Sequence, residues 1–234
     1  MRETSVKITA KPEQIYIERA TAVQYLNCDF IVENLTDEKG RISQIELSVF
    51  DIHGQLVCRK FVNESGSIQT MPNRELEARS SVLLFNPFFH FDHNVELHTL
   101  HYTFTFSSEG QGNDERERKA DIVIAPVYYE TKTNLTLPIS RRSIIWDGHD
   151  FYSHHRRFNY LHPMLQHFDF KCNFQRYGYD FVPVDERGAM FQGDAENNEA
   201  WFGFGTPVLA TANGRVADCF DGMPDNRQFD ETEL

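Results

Sequence analysis

The 234-residue chain has no long hydrophobic run. Its most apolar stretches, "SVLLF" (81–85) and "ADIVIAPVYY" (120–129), fall well short of the roughly 20 residues that a membrane helix requires. The opening "MRETSVKITAKPEQ" lacks the apolar segment of a secretory signal. The expectation is a protein without a membrane span, either cytoplasmic or a secreted or periplasmic protein whose signal has been removed. Positive charge is scarce: 23 Lys and Arg face 35 Asp and Glu, for a net charge of −12. Nucleic acid demands a basic surface, and the short clusters "SRRS" (140–143) and "HHRRF" (154–158) do not supply one. The acidity serves solubility. Cysteine is sparse too. Cys28, Cys58, Cys172 and Cys219 form no Cys-x-x-Cys pair and no disulfide framework, and read mostly as small buried hydrophobes. A Cys172–Cys219 bridge stays open for an oxidising compartment.

Familiar catalytic signatures are missing as well. There is no His-Glu-x-x-His, no Gly-rich loop ahead of a lysine and no Gly-x-Ser-x-Gly elbow. No two of the ten histidines are spaced by two.

What is present, up to about residue 137, is two-residue alternation, the mark of half-buried strands. In "QYLNCDFIVEN" the set Leu26, Cys28, Phe30 and Val32 faces one way; in "ISQIELSVF" Ile45, Leu47 and Val49 do the same. "DIHG" (51–54) predicts a hairpin turn leading into "LVCRKFV". Further strands are expected in "SSVLLFNP", "LHTLHYTFTFSS" and "KADIVIAPVYYETK", with "EGQGNDERER" (109–118) as a solvated loop between the last two. The pattern predicts an antiparallel sandwich of immunoglobulin or fibronectin type over 1–137. His90, His93, His98 and His101 fall within it; residues three apart on a strand point to opposite faces, so these read as polar strand positions rather than ligands.

Around "TLPISRRS" the texture changes, and 138–171 reads as a linker and lead-in segment rich in aromatics and histidine. "GHDFYSHHRRF" packs His149, Asp150, His154, His155, Arg156 and Arg157 together, and imidazole is a common metal ligand. A hydrogen-bonded polar cluster explains the segment equally. Further on, "GFGTPVLATANGRVADCF" predicts two strands joined at Asn213-Gly214, since Asn-Gly between apolar residues is a strong hairpin signal. The second half is therefore also read as β-rich, with little helix.

In "FQRYGYDFVPVD" (174–185), Asp180 lies four residues beyond Arg176, with Gly178 between them. Together with "WFGFGTPVLATANGRV" and "DGMPDN", this stretch resembles the first part of a lysostaphin-like (LytM-type) zinc metallopeptidase domain. That family cleaves peptide cross-links in bacterial peptidoglycan. The resemblance covers about residues 172 to 226. Its Gly-x-Pro-Val-x-Ala-x-x-x-Gly-x-Val element matches Gly205, Pro207, Val208, Ala210, Gly214 and Val216. The resemblance implies zinc as cofactor, Asp180 as a metal ligand, peptidoglycan as target and a bacterial source, so Asn-x-Ser/Thr matches at Asn34, Asn63 and Asn134 carry no weight.

The departures from the family pattern are chemical. The family's first His ligand corresponds to Arg176, and a guanidinium offers only donors. The family's later His-x-His is absent. A catalytic zinc takes three protein ligands and an open position. The chain is therefore expected not to bind zinc, and to be inactive, as a fragment of a longer peptidase-like protein or as a degenerate relative used for binding. In a third alternative, His154 or His155 restores the coordination. In the first two cases Arg176 and Asp180 are expected to form an ion pair; four extended residues span about 13 Å, so the chain must bend at Gly178. The alternative function is a non-catalytic interaction or scaffold module with a protein partner. Only residues 172–234 form the peptidase-like part, whose strand edges are expected to be left open, with the C-terminal segment poorly ordered or completed by docking.

Overall fold

The computed structural model describes residues 5–109 and 115–223. It is mainly β. The strands, in chain order, are β1 (Val6–Lys11), β2 (Tyr16–Arg19), β3 (Val23–Leu26), β4 (Asp29–Asn34), β5 (Gly40–Phe50), β6 (Leu56–Asn63), β7 (Glu75–Leu76), β8 (Ser81–Phe85), β9 (His90–Asp92), β10 (Thr99–Glu109), β11 (Glu115–Ile124), β12 (Val127–Tyr128), β13 (Ser143–Asp147) and β14 (Asp180–Pro183). One short helix, α1 (Pro163–Gln166), begins at a proline and is capped by His162, whose ring accepts from the Met164 N–H. No helix among the described residues is long and apolar enough to cross a membrane.

The chain divides into two units. Residues 1–130 with 159–172 form the first; 131–158 with 173–234 form the second. The stretch read as a lead-in is thus shared between them.

The first unit is a β-sandwich. One layer runs β11-β10-β5-β6, with β7 also on β5. Facing it are a β1-β4-β8 sheet and a β12-β2-β3-β9 sheet. Every strand pair is antiparallel except β12 with β2. The alternation explains the core: Leu26, Cys28, Phe30, Val32, Ile45, Leu47 and Val49 are all fully buried. The rings of Phe30 and Phe104 meet edge to face across the layers at 5.2 Å, and Phe30 and Tyr102 at 4.9 Å. Such pairs contribute beyond their buried area. At the β5–β6 hairpin, Asp51 Oδ1 accepts from the N–H groups of His53 and Gln55, and Gly54 takes a φ of +75°. That left-handed conformation favours glycine.

Two stretches that read as single strands change sheets midway. "QYLNCDFIVEN" is split at Asn27–Cys28 into β3 and β4. There Asp29, itself buried, accepts the backbone N–H of Asn86 at 3.2 Å. "KADIVIAPVYY" is split at Ala125–Pro126, and β12 then turns parallel to β2. Proline has no N–H to donate, so a ladder running through it is broken. The loop read at 109–118 lies partly within strands: β10 and β11 stay in register to Glu109↔Glu115, and 110–114 fall outside the described residues.

The second unit has one two-stranded sheet, β13-β14. The hairpin expected at Asn213-Gly214 is absent, and residues 202–223 belong to no strand. Gly205, at φ +66°, ends a turn in which Thr206 N–H donates to Gly203 O. Beyond it the backbone meets residues 136–138: Thr136 N–H donates to Thr211 O, and Leu209 N–H donates to Pro138 O. Pro138 cannot return the second bond of its pair, so no ladder forms there. Val208 (77% exposed) and Val216 (81%) bury against nothing, which is why the Asn-Gly signal fails. The cysteine reading also needs correction. Cys28 is buried and Cys58 half-buried, but Cys172 and Cys219 are exposed, and all four are free thiols.

Candidate functional site

The site is built on β13, β14 and two stretches that lie between them in the chain, 148–158 and 175–178. β13 carries Ile144, Ile145 and Trp146 largely exposed, and an irregularity between Ile145 and Asp147 sets Asp147 opposite Asp180. Two carboxylates across a strand pair repel each other unless each is compensated. Both are. Asp147 Oδ1 accepts the Gly148 N–H at 2.7 Å and the His155 N–H at 3.5 Å, and its Oδ2 lies 3.9 Å from His154 Nδ1. Burial pushes the Asp147 carboxyl up, but these N–H groups and the two imidazoles outweigh it and hold the group below its ordinary value.

Asp180 lies 3.4 Å, Oδ2 to Nε2, from His155. His155 reaches it because residues 148–158 curl back on themselves. Ser153 Oγ donates to Gly148 O, Arg157 N–H donates to Ser153 O, and Asn173 Nδ2 donates to the carbonyls of His155 and Arg156. On the other side, a turn closed by Gly178 N–H on Gln175 O (2.7 Å) aims the Gly178 carbonyl at His155 Nδ1, 3.2 Å away. A Cβ at 178 would meet Gln175 O at 3.2 Å and His155 Nδ1 at 3.6 Å, so the bend read at this glycine is one where the backbone approaches closely. His155 is buried, while Asp180 is half open to solvent.

Of the four residues singled out from the sequence, the structure brings His155 and Asp180 together. His154 turns instead toward Asp147 and stays exposed. Arg176 is buried, with its guanidinium carbon 6.0 Å from the Tyr177 ring centroid. Sequence reasoning missed Asp147. The signal available was its place at the end of β13 just before Gly148, where a carboxylate can cap a turn.

Among the described residues, no group of three or more His, Cys, Asp or Glu side chains is placed to hold a metal ion. The donors present are one imidazole and one carboxylate. That set does not fit a catalytic zinc, which takes three protein ligands.

No family model and no curated protein matches the chain. Among solved structures, the chain is similar to one titled "X-ray structure of Northeast Structural Genomics Consortium target SoR45". The identity is 11% and the TM-score 0.33, over 54% of this chain and 90% of that one.

Proposed function

We propose that this chain is a non-hydrolysing relative of the peptidoglycan-directed zinc metallopeptidases, which uses the peptidase-like unit to bind cell-wall peptide rather than to cut it. The observation that carries the reading is the arrangement at Asp180. The position where the family places an imidazole holds Arg176, and the imidazole facing Asp180 is His155, from a separate segment. One imidazole and one carboxylate leave the zinc-bound water of such enzymes without its three-ligand support. The peptidoglycan direction is supported by the resemblance around Arg176–Asp180 and over Gly205–Val216.

The test is incubation of the purified chain with isolated peptidoglycan, with and without added zinc. Co-sedimentation without release of soluble peptide is the expected result. Zinc-dependent release would show a working peptidase, and failure to co-sediment would remove the cell wall as target. The second reading is a module for a protein partner. It is favoured by the exposed apolar side chains of Val208, Leu209, Val216 and Phe220 along one stretch of the chain.

A further inference from the structure

Where β5 begins, the sandwich holds a cavity of about 450 Å³, within the size range of small-ligand sites. Strand register sets its walls. Arg41 lies opposite Glu75 of β7 on one side and Ser107 of β10 on the other, so a carboxylate, a guanidinium and a hydroxyl form a row across three strands. Opposite charges so placed attract. Here they are drawn apart: Arg41 reaches Glu64 at 3.1 Å and its Nε donates to Ser107 Oγ at 3.1 Å, while Glu75 leans toward Arg74 at 3.7 Å. Two further charged walls are held from outside in the same way, Lys39 by Glu77 at 2.7 Å and Glu38 by Arg118 at 2.7 Å. An adjoining recess of about 20 Å³, room for a water or a methyl group, is bounded by Val6, Leu76 and Phe106. Ser108 lines both spaces. It is buried, and its hydroxyl has no hydrogen-bond partner among the described residues. A buried hydroxyl left in this way calls for a partner from outside the chain.

We propose that this cavity binds a short peptide with both ends free. A ligand of one sign meets a wall of its own sign: an anion faces Glu38 and Glu75, and a cation faces Lys39 and Arg41. A zwitterion is matched at each end, its carboxylate by Lys39 and Arg41 and its ammonium by Glu75 and Glu38, through charge-assisted bonds. The recess admits a methyl-sized side chain, and the Ser108 hydroxyl beside it offers a donor to a peptide carbonyl. The cavity's size suits about two to three residues. All of these groups belong to the first unit, so the inference does not rest on the proposed function, whose site is in the second.

The experiment is titration of the full chain with trialanine, followed by calorimetry and by the backbone amide signals in NMR. The expected result is one trialanine per chain, with the amides of Gly40, Arg41, Ser107 and Ser108 moving. Acetylating the amino end or amidating the carboxyl end each weakens binding by about tenfold or more, as suits loss of a charge-assisted bond. Glu75→Gln weakens binding of trialanine but leaves the acetylated peptide within about twofold, and Lys39→Gln does the same for the amidated peptide. A merely structural role would weaken every form alike. Both side chains are largely exposed, so neither substitution threatens the fold. Absence of trialanine binding at millimolar concentration overturns the proposal. So does equal binding of the blocked peptides. Signals moving only at 175–181 overturn it as well, and assign the peptide to the second unit. Failure to co-sediment with peptidoglycan leaves this result untouched, so the two readings fail separately.

Discussion

In the first unit apolar side chains close on one another; in the second many of comparable size face water. Tyr102 and Phe104 are fully buried between layers of the sandwich, while Trp146 (65% exposed), Phe220 (83%) and Val216 (81%) cover nothing. Both β10 and β13 contain good strand formers. The difference lies in the partners: β10 has β5 on one side and β11 on the other, whereas β13 has only β14. A strand is stabilised by its ladder and by the layer beneath it, and isolated two-stranded sheets are marginal. Local propensity is therefore a weak guide once partner strands are missing.

The sharpest way to break this comparison is hydrogen exchange. Amides of β5 and β10, held on both sides, are expected to exchange only through global opening, and those of 205–220 by local opening, a difference of several orders of magnitude in rate. Uniform protection across 205–220 in a monomer would erase the distinction.

Next in size is a pair of substitutions. Phe104→Ala removes a ring packed on Phe30 and is expected to cost about 3–5 kcal/mol in denaturant unfolding. Phe220→Ala, at a largely solvent-facing position, is expected to stay within about 0.5 kcal/mol of the parent. Comparable losses from the two would mean that the second unit packs as tightly as the first.

The success of the sequence reading follows the same division. Alternation located β5 and β10 because each runs through one sheet, so that a two-residue period maps onto inside and outside. It failed where the chain changes sheets, at Asn27–Cys28 and Ala125–Pro126, since both halves of each stretch keep the same period. At the site, Asp180 and the histidine pair stood out by residue type. That His155 rather than His154 meets Asp180 depends on the curl of 148–158 and the turn at 175–178, which bring together groups 25 residues apart. Neither turn has a period to read.

Inside the sandwich, one polar cluster sharpens the contrast with the open second unit. Asn86 is fully buried; its Nδ2 donates to Tyr102 Oη at 2.9 Å and to Cys28 Sγ at 3.3 Å, and its Oδ1 accepts the Phe88 N–H. Asn86→Ala is expected to cost about 1–3 kcal/mol, because it leaves the Phe88 N–H and the Tyr102 hydroxyl without this partner. Equilibrium denaturation measures it. A cost below that range would mean that water replaces the amide.

The smallest effect expected concerns the same cluster at high pH. Burial raises the Tyr102 phenol well above its ordinary value, the neighbouring Cys28 and Asp29 groups push the same way, and the hydrogen bond with Asn86 offsets only part of this. An unfolded tyrosine ionises near pH 10, at about its ordinary value. Above that pH the unfolded chain gives up a proton that the folded chain retains, so unfolding gains free energy. The contribution of Tyr102 is therefore fully present below about pH 10 and is lost as the pH rises toward the folded value. Tyr102→Phe removes the titrating proton while keeping the ring against Phe30. Denaturation midpoints of the two proteins, followed from neutral to strongly alkaline pH, should converge as the parent loses this stabilisation. Parallel curves would assign the alkaline loss to other groups, and the buried phenol would then have no part in it.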